Sequence, residues 1–199
     1  MTPIWRAQAR AGLARAGAEG ALARAGAEGA LITLGRPFAG DPARWRTDDE
    51  VATLAHALGA LGRGFGFGRA DLLGHSSGGH LAVALAQETA RVRFLSAAAP
   101  PLDLLAWHET PFRRVSAVVR AQYDPVDHVA AFQADTAALV ADPADAVAPP
   151  RAWRGWLGRA LALGKPVTLV LATGGGADRH GLIRPGAEAL AMLRAGRPL

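Results

Sequence analysis

From residue 47 onward, the apolar positions follow two rhythms. Val51, Leu54, Ala55, Leu58 and Leu61 recur three and four residues apart, which lays one apolar stripe along a helix, and Thr47 or Asp48 can cap its start. A glycine-rich turn, Gly62 to Gly68, comes next, then the short apolar run Ala70-Asp71-Leu72-Leu73, of strand length. Helical spacing returns from Gly79 to Thr89, with Leu81, Ala84 and Leu85 on one face. Val92-Arg93-Phe94-Leu95, Ala137 to Ala141 and Val167 to Leu171 read as further strands. A helix is expected around Ala152 to Leu163, ended by Gly164 and Pro166, and a final one over Pro185 to Leu193. Upstream, Ala30 to Leu34 is an apolar run stopping at Gly35-Arg36-Pro37, which reads as a buried strand. Strands alternating with helices predict an α/β fold: a three-layer sandwich around a mostly parallel sheet.

Two stretches break the pattern. The nine residues Leu13 to Ala21 (LARAGAEGA) recur without change as Leu22 to Ala30, and two copies are too few for a solenoid. Alanine, leucine, arginine and glutamate favour helix there, while each glycine costs up to about 1 kcal/mol. Residues 1–29 therefore read as a helical, repeat-containing segment. Residues 101–135 hold Trp107, His108, Phe112, Tyr123 and Phe132 without clean periodicity, and read as an insertion covering the site. All 199 residues fit a single domain.

Composition narrows the classes. No apolar run reaches the roughly 18 residues of a membrane span. The first ten residues lack the apolar stretch of a signal peptide, and cysteine is absent, so the cytoplasm is expected. A formal net charge of +5 raises the question of nucleic acid, but Lys165 is the only lysine and the arginines are scattered. With no basic stripe interleaved with aromatics, neither nucleic acid nor membrane is an expected partner.

The clearest chemical signal is Gly74-His75-Ser76-Ser77-Gly78, a G-x-S-x-G entered from an apolar strand and left through a helix. Ser76 would sit on a strained turn, with small residues two positions to either side so that strand and helix can approach. The helix N-terminus favours developing negative charge, and the N–H of Ser77 can meet an oxyanion. His75 and His80 read as packing beside the turn.

A serine hydroxyl needs a histidine to take its proton and a carboxylate to orient that histidine. His180 follows the strand Val167 to Leu171 through a glycine-rich loop, Thr173 to Arg179, where such a base belongs. His128 and His108 are the other candidates after the turn. For the acid, the strand Ala137 to Ala141 runs into Asp142-Pro143-Ala144-Asp145, where Asp145 lies deeper in the loop and Asp142 suits a turn. A competing assignment makes Gly175-Gly176-Ala177-Asp178 the acid block and puts the histidine beyond Leu199. Arg36 and Arg179 could meet an acidic substrate, although a surface role fits them better.

Ser76 in GHSSGGH, Asp145 in ADPADAVAPP and His180 in ADRHGLI together resemble the three blocks of bacterial α/β-hydrolases near the prolyl-oligopeptidase and dienelactone-hydrolase branches. The resemblance spans roughly residues 30–190. It implies hydrolysis of a small ester, amide or peptide through an acyl-enzyme, with no metal or organic cofactor. Such proteins carry two or three strands before the one at residues 30–34, and a His-Gly-Gly type loop giving a second oxyanion donor. No His-Gly or Gly-Gly pair precedes residue 78 here. The expectation is a fold lacking its first strands, with a donor drawn from elsewhere, such as Gly35 to Gly40. The alternative is a weak or inactive remnant acting in binding or as a homo-oligomer.

Overall fold

The computed structural model describes residues 41, 44–108 and 116–199. The tandem repeat, the strand expected over residues 30–34 and the loop Gly35 to Gly40 lie outside the described residues.

Helix α1 spans Asp48–Phe65, with Thr47 as its cap, the hydroxyl accepting from the Glu50 N–H. Asp48, Asp49 and Glu50 set negative charge against the positive end of the helix dipole. The helix passes through Gly62 rather than ending there. A Cβ at Gly62 would stand 2.7 Å from the Phe67 carbonyl oxygen, so this glycine admits the returning chain. The stop comes at Gly66, left-handed at φ 73°.

Strands β1 (Ala70–His75), β2 (Val92–Ala98), β3 (Thr136–Ala141) and β4 (Val167–Leu171) pair in chain order, all parallel. Between them run α2 (Ser77–Glu88), the short helices α3 (Leu104–His108) and α4 (Ala117–Arg120), and the 3₁₀ turn Pro125–Ala131. A second 3₁₀ turn, Pro150–Ala152, and α5 (Arg154–Ala162) connect β3 to β4, and α6 (Ile183–Arg194) follows β4.

The central strands are buried on both faces. On one, Leu95, Ala97, Ala137, Leu139 and Ala141 pack with Ala82, Val83 and Ala86 of α2, Trp156 of α5, and Phe132. On the other, Ala98, Ala138 and Val140 pack with Ala189 and Leu193 of α6. Alternate residues of β3 thus serve opposite layers, as a parallel sheet between helices requires. The alanines have a reason: a Cβ on Gly186 of α6 would lie 2.9 Å from the Ala98 Cβ. Glycine at 186 thus lets α6 cross β2 directly over Ala98, with the buried Ser96 beside it. Helix α1 forms an outer layer on α2 through Val51, Leu54, Leu81 and Leu85. Part of the segment expected as an insertion belongs to the core, since Val126, Val129 and Phe132 lie beneath α2. Among the described residues, no helix is long and apolar enough to cross a membrane.

Candidate active site

The carboxyl end of the sheet gathers the loops that carry the chemistry. The first is the turn from β1 into α2. Ser76 has φ 54° and ψ −122°, a region costly for a residue with a side chain. Its N–H donates to the Ala98 carbonyl (2.8 Å) and its carbonyl accepts from His80 N–H (3.0 Å), so both flanking elements hold the strained conformation. The turn is tight on one side only. A Cβ on Gly74 would stand 2.2 Å from the Gly78 carbonyl oxygen, 2.5 Å from its carbon and 2.7 Å from the Gly79 nitrogen. Gly79 is also close-packed, 3.0 Å from the Pro100 Cβ, whereas a Cβ on Gly78 meets nothing within 4 Å among the described residues. The symmetrical need for small residues expected from the motif is thus corrected: Gly74 and Gly79 admit the close approach, and Gly78 contributes its backbone. The first N–H groups of α2, beginning at Ser77, have no carbonyl within their own helix to bond.

The second loop leaves β3. Asp145 is almost fully buried, and its Oδ1 accepts from the N–H groups of Val147 (2.8 Å) and Ala148 (2.9 Å). Its Oδ2 lies 2.8 Å from His180 Nδ1. Two backbone donors therefore aim the carboxylate, and the histidine tautomer with hydrogen on Nδ1 is the one that pairs with it.

The third loop, from β4 to α6, carries His180. Gly175 and Gly181 bond each other as an antiparallel bridge, so the loop doubles back on itself. Gly174 is obligatory there, since a Cβ would fall 1.7 Å from the Arg179 carbonyl oxygen. Asp178 accepts from the His180 N–H through its side chain (3.1 Å) and from the Ala146 N–H through its carbonyl (2.9 Å). Asp178 thus meets the backbone of His180, and Asp145 meets its ring.

Ser76 and His180 stand at strands on opposite edges of the described sheet, and two contacts bring their loops together. The His180 carbonyl accepts from His75 Nε2 at 2.7 Å, and the two rings lie 4.9 Å apart. Burial is the chief cause holding the His75 ring below its usual 6.5; the bond to the His180 carbonyl opposes this. No hydrogen bond joins the Ser76 hydroxyl to His180 in this structure.

The remaining histidines lie elsewhere. His128 is exposed and stacks on Tyr123 (4.3 Å, 17°), His108 lies against Trp107, and His80 is buried with Nδ1 at the Pro101 carbonyl. Two participants carry no signal in the sequence. Arg46 reaches Ser77 Oγ with Nη1 (3.4 Å) and lies over the Trp107 ring, while Trp107 Nε1 donates to the Val147 carbonyl beside Asp145. Asp142, read as a turn residue, does accept from Ala144 N–H (2.8 Å), and it also binds the histidine loop.

Comparison with known proteins follows this geometry. A model of the alpha/beta hydrolase family matches residues 3–199. No curated protein matches the sequence. Among solved structures, the chain is similar to a Klebsiella pneumoniae protein assigned as a dienelactone hydrolase (16% identity, TM-score 0.54, covering 72% of this chain and 59% of that one). It is also similar to a puromycin-hydrolyzing peptidase of Mycobacterium tuberculosis (19%, TM-score 0.59, 78% and 26%) and to the acylaminoacyl peptidase of Pyrococcus horikoshii (13%, TM-score 0.54, 73% and 26%). The chain thus spans about three fifths of the first of these and a quarter of the two peptidases.

Proposed function

This chain belongs to the alpha/beta hydrolase family, and from that premise we propose that it cleaves a small carboxylic ester, or the related amide or peptide bond, through an acyl-enzyme on Ser76. The observation that carries the reading is the 2.8 Å contact between His180 Nδ1 and a buried Asp145, on a loop bonded to the residue before Ser76. The names of the similar structures, two peptidases and a dienelactone hydrolase, support the substrate class.

The steps balance with these groups alone. Ser76 Oγ attacks the carbonyl carbon while His180 Nε2 takes its proton, and Asp145 stabilises the imidazolium by accepting from Nδ1–H. Charge on the former carbonyl oxygen falls to the Ser77 N–H at the positive end of α2. Collapse breaks the bond to the leaving group, which takes the proton from Nε2. Water then attacks the acyl-enzyme, giving its proton to His180, and Ser76 recovers its proton as the acid departs. The reading places this chemistry in the cytoplasm, with a small-molecule ester or peptide as the partner and neither nucleic acid nor membrane, and leaves room for a homo-oligomer.

The test is hydrolysis of p-nitrophenyl acetate and butyrate by wild type, Ser76→Ala and His180→Ala, each checked for folding. Loss of turnover in both variants is expected, together with fluorophosphonate labelling that disappears in Ser76→Ala. Folded wild type that neither turns over nor labels overturns the proposal.

A further inference from the structure

The loop after β3 carries two carboxylates, and only Asp145 meets the histidine ring. The other, Asp142, has a side chain 1% exposed and three donors on it. Its Oδ1 accepts from Ala144 N–H (2.8 Å) within its own loop. Its Oδ2 accepts from Gly174 N–H (2.8 Å) and from Arg179 Nε (2.8 Å), the two ends of the turn that delivers His180. Arg179 holds a left-handed φ of 58°, and the Arg179 carbonyl stands where Gly174 would carry a side chain. The donors lie in a conformation this carboxylate stabilises and few other arrangements would.

We propose that Asp142 is the positioning residue for the base: it clasps the histidine loop to the acid loop and so sets the separation of His180 from both Asp145 and Ser76. This rests on the acyl-enzyme reading above. Asp142 touches no reacting atom; it acts through Gly174 and Arg179. The Gly174 N–H first, then the Ala144 N–H, hold its carboxyl below the usual 3.8, with Arg179 adding to them against the opposing effect of burial, so the clasp stays charged through the working range of a histidine base. Arg179 keeps the exposed place expected for it and joins the clasp through Nε.

The experiment compares wild type, Asp142→Ala, Asp142→Asn and Arg179→Gln, with Asp71→Asn as a control that loses ion pairs to Arg93 and Arg194. Readouts are kcat and KM on p-nitrophenyl acetate, and the downfield proton resonance of the His180 Nδ1–H bonded to Asp145, identified by its loss in His180→Ala. Asp142→Ala is expected to lower kcat on the order of 10- to 100-fold with KM unchanged, since small misplacements of a catalytic group cost that much. Its resonance should shift or broaden while circular dichroism stays that of wild type. Asp142→Asn keeps one acceptor and Arg179→Gln leaves the Gly174 bond, so each should lie between; they also decide the matter if the alanine variant does not fold. An unmoved resonance with wild-type kcat overturns the proposal, as does a loss that tracks melting temperature as in Asp71→Asn. Wild type without turnover sinks the acyl-enzyme reading alone, because the resonance still reports whether Asp142 sets the place of His180.

Discussion

Gly74 and Gly78 look equivalent in G-x-S-x-G, and the structure separates them. In Gly74→Ala the new methyl would lie 2.2 Å from the Gly78 carbonyl oxygen, against 3.4 Å or more in ordinary contact, so β1 and the start of α2 must part by roughly 1 Å. The obstructing atoms are backbone, and no side chain can rotate away. Overpacking of this kind costs about 1–3 kcal/mol, and the upper end applies where the backbone must move. For a chain of 199 residues, 3 kcal/mol lowers the melting temperature by roughly 6–12 °C. The same displacement carries Ser76 and the Ser77 N–H with it and should lower kcat about 100-fold. In Gly78→Ala the methyl meets nothing within 4 Å among the described residues, at the second position of a helix. There alanine gains at most about 1 kcal/mol over glycine, raising the melting temperature by no more than roughly 4 °C. Calorimetry of the three proteins, with p-nitrophenyl acetate turnover on the same preparations, makes the comparison. Equal damage from both substitutions, or none from Gly74→Ala, would refute the reasoning.

Three further expectations follow from the same geometry. Asp145→Asn should lower kcat about 10,000-fold by turning a donor toward His180 Nδ1 and stabilising the wrong tautomer; a loss under 10-fold in steady-state kinetics would deny Asp145 its role. Ser76→Gly should unfold later than Ser76→Ala by about 1–2 kcal/mol in denaturant titration, because glycine adopts φ 54° without the strain, less its greater chain entropy. Identical midpoints would mean that no strain is stored at Ser76. The lowered pKa of His75 means that the unfolded chain binds a proton below pH 6.5 that the folded chain still refuses, so stability should fall as pH drops through 6.5. His75→Gln should flatten that slope, and an unchanged slope in denaturant titrations at pH 5 to 8 would remove His75 as its source.

The sheet was legible where large apolar residues marked it. Val167 to Leu171 matched its strand to the residue. β2 was read only to Leu95, yet it continues through Ser96, Ala97 and Ala98, residues with little β-propensity, of which Ser96 and Ala98 face the close passage of α6 at Gly186 while Ala97 packs on the opposite face beneath α2. Local preference cannot report that crossing. Gly62 misled in the same way, marking a turn where a contact with Phe67 keeps it inside α1. At the site, order along the chain was enough to bring Ser76, Asp145 and His180 forward, since each follows a strand of a parallel sheet. The bond from His75 to the His180 carbonyl and the second partnership of Asp142 depend on how the loop folds back after Gly174, which no spacing in the sequence encodes.

Every contact described at the site lies at one rim of the sheet. The opposite rim, where α1, α2, the turn ending at Ala131 and α5 hand over to the strands, takes no part in it. The connections at residues 66–69, 89–91 and 163–166 are therefore the expected places for this chain to drift, lengthen or accept a grafted domain with its chemistry intact, whereas residues 132–135 are tied down by the buried Phe132 and Ala134. A library of insertions should be tolerated at those three connections and rejected in the loops after β1, β3 and β4, so that one half of the molecule is open to evolutionary change and the other is closed to it.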